Sequence, residues 1–207
     1  ANHFIMLEDY ENALPLYKEA YQLALEHKSI ELQQVSGIML IKYLCGAGYY
    51  SESLEYYNKI KPEIAFNPSM QNEVVKSYME LNKPDSARIY LAARLLSERG
   101  DKIVLNCMMA ETYIPEGQED SAFVFLDRAM KSYKEKAKNY QKQGREAILP
   151  NCFLSPCYLF ADLLWKKGKI QQASQYYMIV EPLMKERVKT PVRMELQIKA
   201  LTNFSSF

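Results

Sequence analysis

Five stretches of this chain lie on one another: ENALPLYKEA, SESLEYYNKI, DSARIYLAAR, DSAFVFLDRA and QQASQYYMIV. One column of the alignment holds only small residues, at Ala13, Ser53, Ala87, Ala122 and Ala173. Four positions on, the column is Tyr17, Tyr57, Leu91, Leu126 and Tyr177, and three further it is Ala20, Ile60, Arg94, Ala129 and Val180. Nine positions before the small residue stands Phe4, Leu44, Tyr78, Tyr113 or Leu164. Such self-similarity constrains the fold more than composition does. Each copy must fold alike and must cover an apolar face that its neighbour leaves open.

The unit that repeats is helical. LEDYENALPLYKEAYQLALEHKS places Ala13, Leu16, Tyr17, Ala20, Leu23 and Ala24 at three-four spacing, the stripe of an amphipathic helix. SARIYLAARLLSERG, SAFVFLDRAMKSYKEKAK and QQASQYYMIVEPLMKE show the same period, and strand signals are few. Gly46 with Gly48, Asn82 with Pro84, Pro115 with Gly117, and Gly168 punctuate these runs, as helix ends and first turns require. An array of antiparallel helical hairpins is predicted. A small residue allows two helices to approach closely, and the large residue one turn away fills the adjoining groove.

The column intervals are 40, 34, 35 and 51 residues, two of them at the period of a tetratricopeptide repeat. In this respect the chain resembles the tetratricopeptide family, with Ala110, Tyr113, Gly117, Ala122, Leu126 and Ala129 carrying the pattern most fully. Val75, Tyr78, Ala87 and Leu91 carry it in the preceding repeat. Ile41, where a small residue is usual, and Arg94, where alanine is usual, depart from it. The resemblance implies an all-α, right-handed superhelical solenoid of antiparallel helix pairs, a single domain over 1–207. Its expected repeats are 1–28, 29–66, 67–100, 101–149 with an extended second helix, 150–189 and a partial sixth at 190–207.

Several chemistries are disfavoured. With 26 basic and 25 acidic residues the net charge is +1, which gives no general attraction to nucleic acid or an anionic membrane. No apolar run reaches the roughly 20 residues of a bilayer span, and no signal sequence opens the chain, so a soluble segment is expected. The chain opens at Ala1 without methionine, as a piece of a longer protein would. Cys45, Cys107, Cys152 and Cys157 form no CxxC pair and are expected to be buried thiols, not a redox or zinc site. CGAGYY has neither the residues nor the preceding strand of a phosphate loop and is read as the corner between two helices. His3 and His27 belong to no zinc-spaced or triad motif, and the Glu8–Asp9 and Glu119–Asp120 pairs suit helix starts. No catalytic residue, metal or cofactor is expected.

Binding should then follow from shape, because the first helices of stacked hairpins line a concave groove. The family resemblance points Lys42, Asn72, Lys76, Met79, Cys107, Glu111, Ile114, Tyr158, Asp162 and Trp165 into that groove for a protein or peptide partner. Trp165 and Tyr158 could equally cap the core, and the charged positions could be merely solvated. The turns NKPDSARIYLAA and GQEDSAFVFLDRA resemble tetratricopeptide sensor regions of bacterial histidine kinases and transcription regulators. That similarity implies an extracytoplasmic input module, with a cytoplasmic place left open and membrane contact only through a segment outside this sequence. An assembly scaffold or glycan-uptake accessory protein is the alternative. Nucleic-acid binding would rest on the basic stretch Lys131, Lys134, Lys136, Lys138, Lys142 and Arg145.

Overall fold

The computed structural model describes residues 10–64, 70–97, 101–144 and 154–187. Among the described residues the α-helices are α1 (Tyr10–Glu26), α2 (Ile30–Gly46), α3 (Tyr50–Ile64), α4 (Gln71–Glu80), α5 (Pro84–Leu96), α6 (Lys102–Tyr113), α7 (Glu119–Lys142), α8 (Leu154–Lys166) and α9 (Ile170–Arg187). A 3-10 turn, Ile114–Glu116, extends α6. Phe4 lies outside the described residues, as does the partial sixth repeat. The chain divides into two compact units, 1–100 and 101–207.

In each unit the hairpins close through the same backbone device. Just past the first helix of a pair one residue takes a left-handed conformation, at φ +85° for Gly48 and +54° for Asn82, and Gly117 and Gly168 do likewise. The next N–H then reaches back to the carbonyl of the large column residue: Tyr49 to Leu44 at 2.8 Å, Lys83 to Tyr78 at 2.9 Å, Gln118 to Tyr113 at 3.1 Å and Lys169 to Leu164 at 2.9 Å. These bonds satisfy carbonyls that a helix end would otherwise leave open. CGAGYY is therefore the corner between α2 and α3. The turn from α1 into α2 has the same form, with Lys28 left-handed and the Ser29 N–H bonded to the Ala24 carbonyl.

The small-residue column is the contact line. Ala13, Ser53, Ala87, Ala122 and Ala173 are all 0 % exposed, and the large residues four positions on are buried with them. In unit 1 the core is built by Ala13, Tyr17, Leu40, Ile41, Leu44, Tyr57 and Val74, with Tyr17 stacked on Tyr43 at 4.5 Å. In unit 2 it is built by Ala110, Ala122, Leu126, Phe160, Ala161, Leu164 and Tyr177. The bulky Ile41 is accommodated because Ser53 stands opposite: the Ser53 hydroxyl donates to the Ile41 carbonyl at 3.1 Å. Gly37, on α2, is a second close approach, since a Cβ there would stand 2.5 Å from Ile60 Cδ1.

Two positions of the third column behave differently from an alanine-type contact. Ala20 is exposed because it lines an open groove on α1 and α2. Arg94 is 3 % exposed, and its charge is met within unit 1. With the Gln71 amide oxygen turned toward the guanidinium, that oxygen accepts from Arg94 Nη2 at 2.5 Å and Nε at 3.3 Å. Gln71 is itself buried, so each group satisfies a polar partner that water cannot reach. Burial pushes the neighbouring Tyr57 and Tyr90 hydroxyls up, while Arg94 opposes the shift.

Ala122→Leu is expected to overpack the α6–α7 contact and cost about 1–3 kcal/mol in urea unfolding, whereas an unchanged transition would contradict the contact line. Arg94→Ala is expected to strand the Gln71 amide and cost about 2–3 kcal/mol, with faster amide exchange in α4 and α5 as its local signature.

Candidate functional site

In unit 1, Asn72, Lys76 and Met79 fall at i, i+4 and i+7 on α4, a single face, with the first two exposed and the third half-buried. The opposite face carries the buried Gln71, Val74, Val75 and Ser77. Lys76 Nζ stands 5.8 Å from the centre of the Tyr50 ring. Lys42 is half-buried on α2 between the buried Ile41 and Tyr43.

In unit 2 the six expected positions separate. Cys107 and Tyr158, 3 % and 4 % exposed, lie in the core and not on an open face. The cause is that α6 is apolar on more than one face: Ile103, Leu105, Cys107 through Ala110 and Thr112 are all buried, so an aligned column does not single out its open side. Tyr158 packs on Tyr177 with ring centres 5.8 Å apart. Trp165 and Ile114 are half-buried against the same core. Glu111 stays at the surface, in surroundings dense enough that desolvation holds its carboxyl above the usual carboxylate range. Asp162 is half-buried and pairs with Lys166 at 3.5 Å, which offsets the acidic character expected at this end.

The column alignment did not disclose an apolar groove of about 450 Å³ between α1 and α2, lined by Leu23, Leu32, Val35 and Met39 with His27 at its edge. Leu32, Val35, Met39 and Lys42 follow one another at steps of three, four and three, so the stripe runs from apolar to basic along α2. Leu32 and Val35 are 57 % and 58 % exposed. Their signal in the sequence is the apolar content of IELQQVSGIMLIKYLCG, more than one buried face requires.

Comparison with known proteins agrees with the helical-repeat fold. Residues 154–178 match the family model described as tetratricopeptide repeat. Two solved structures of nearly identical TPR-like repeats of the kinesin light chain type from Podosopora anserina superpose over most of the chain. The first, a point variant, is 16 % identical with a TM-score of 0.64, covering 89 % of this chain and 91 % of that one. The second is 15 % identical with a TM-score of 0.62, covering 91 % and 93 %. The fold is that of a tetratricopeptide repeat array. No curated protein matches the chain.

The matched tetratricopeptide repeat comprises α8 and the first half of α9, and it contains Ala161, Leu164, Ala173 and Tyr177 of the unit 2 core. The second helix of the preceding repeat, α7, is long, running to Lys142, and carries most of the basic stretch. Lys131 pairs with Asp127 at 2.7 Å and Lys136 with Asp101 at 3.2 Å, while Lys134 turns its ammonium over Tyr176. Lys138 and Lys142 are exposed, and Arg145 lies outside the described residues. The stretch is thus tied largely to its own unit, as a solvated helix face is.

Cys45, Cys107 and Cys157 are buried thiols, as expected, and Cys152 lies outside the described residues. Burial pushes Cys157 up to about 12 and also raises Cys45, so little thiolate is present at neutral pH. In a Cys152→Ser variant, no thiol is expected to react with a disulfide reagent at pH 8 until urea unfolds the chain, when three should react. Rapid labelling of the folded variant would contradict this packing.

Proposed function

We propose that this tetratricopeptide chain is a noncatalytic protein-interaction module, the input region of a larger bacterial regulatory protein. Its partner is an amphipathic segment that lays an apolar face on α2 and turns acidic residues toward Lys42 and Lys76. The α2 stripe carries the reading: water-exposed Leu32 and Val35 beside Met39 offer the apolar footprint of a helix-in-groove complex, and Lys42 ends it with the charge that would set direction. The exposed face of α4 with Asn72, Lys76 and Met79 supplies polar contacts in the same unit. In unit 2, Glu111, Ile114, Asp162 and Trp165 keep side chains within reach of a partner, and Cys107 and Tyr158 support them from beneath.

The regulatory part of this reading rests on the turns NKPDSARIYLAA and GQEDSAFVFLDRA, which open α5 and α7 and resemble those of bacterial sensor repeats. A gene encoding a membrane helix and a kinase or DNA-binding output beside this segment would support an extracytoplasmic input role. A gene without either would remove it.

A helical-peptide display library selected on residues 1–207 tests the binding mode. The selected peptides should carry an apolar stripe with acidic residues, and their hydrogen-exchange footprint should fall on α2 and α4. Val35→Glu with Lys42→Glu should weaken a selected peptide at least tenfold, about 1.4 kcal/mol, without lowering the melting temperature. A footprint elsewhere, or undiminished binding, would overturn the site.

A further inference from the structure

Unit 2 carries a second concavity, chemically unlike the α2 stripe. About 330 Å³ in volume, it is walled by Phe123 of α7, Phe160 of α8 and Tyr176 of α9. The three rings form one cluster: Phe123 stacks on Phe160 at 5.0 Å, and Phe160 meets Tyr176 edge-on at 5.0 Å. Two ammonium groups are held at the mouth by these same rings. Lys134 Nζ lies 5.4 Å from the centre of Tyr176, and Lys169 Nζ lies 5.3 Å from that of Phe123. The side chains of Gln172 and Gln175 complete the polar wall.

The charges around this concavity do not cancel. Among the described residues Asp127 is its single acidic lining residue, and Lys131 already pairs with it at 2.7 Å. Lys167 also stands over Phe123, at 5.5 Å, but its ammonium is taken by Asp120. Lys134, on α7, and Lys169, in the turn between α8 and α9, are thus brought to one mouth, resting on ring faces with no carboxylate of the described residues at ion-pair distance. A cation over a ring retains most of its charge for a further partner. Because packing fixes the rings, the two ammonium groups are positioned before any anion arrives, which lowers the ordering cost of binding.

We propose that this concavity is a binding site for a carboxylate-bearing ligand. Its oxyanion is received by Lys134 and Lys169 and its other polar groups by the Gln172 and Gln175 amides, while the ring cluster beneath holds the two lysines in place. At about 330 Å³ the concavity has room for an organic acid beside the two ammonium groups. A small dicarboxylic acid and an acidic side chain of a partner peptide present the same chemistry. The site belongs to unit 2 and is built without any residue of the α2 stripe of unit 1.

Titration of the full chain with succinate and with a hexaglutamate peptide at low salt, followed by amide chemical shifts, tests the proposal. Shifts should centre on Phe123, Lys169 and Tyr176. Lys134→Gln with Lys169→Gln should weaken binding at least tenfold and leave the melting temperature unchanged. Lys138→Gln with Lys142→Gln, on the same helix but outside the concavity, should leave binding intact. Succinate binding alone identifies a free small acid, and tighter peptide binding identifies a partner side chain; both support the site. Binding of neither probe, equal binding by the Lys134 and Lys169 variant, or equal loss in the control pair would overturn it.

Discussion

The whole array depends on how closely two helix backbones can approach, and that distance is set by five side chains no larger than a hydroxymethyl group. Ala13, Ser53, Ala87, Ala122 and Ala173 have no exposed surface at all. Each sits where a neighbouring helix passes, so the bulky residue one turn away is driven into the space beside it. In the core this exchanges conformational freedom for dense van der Waals contact and removal of apolar area from water. Gly37 extends the same logic on α2, where even a methyl group would meet Ile60. The aromatic residues then fill what the small ones leave, as the Tyr17–Tyr43 stack and the Phe123–Phe160 stack show.

Those columns made the all-helical repeat fold legible in the sequence, because packing of identical units repeats the same steric demand at the same register. Where a demand was met by chemistry of a different kind, the pattern gave no guidance. Arg94 breaks the alanine column, and its accommodation depends on Gln71, a residue 23 positions away in the chain whose identity no column foretold. Ile41 breaks another, and Ser53 answers it from the facing helix with a hydrogen bond in addition to its small size.

The candidate site was less legible. An aligned column reports which residues share a position in the hairpin, and burial decides which of those reach water. On α4 the two coincide, because polar residues mark one face cleanly. On α6 and α8 they part: Cys107 and Tyr158 share their columns with surface residues yet lie in the core, since apolar side chains surround both helices. The groove beside the α2 stripe and the aromatic concavity of unit 2 are closed by side chains from separate segments, and spacing along one helix does not bring those together.

The hairpin corners have a consequence for how such a chain can change. Each is closed by main-chain donors and acceptors and one left-handed residue, which is glycine in three cases, asparagine in one and lysine in another. Side-chain identity around the bend is therefore nearly free, and so is everything on the outward helix faces. A fold whose corners are written in backbone can exchange most of its surface and keep its form. A shared fold at 16 % identity is what that freedom allows.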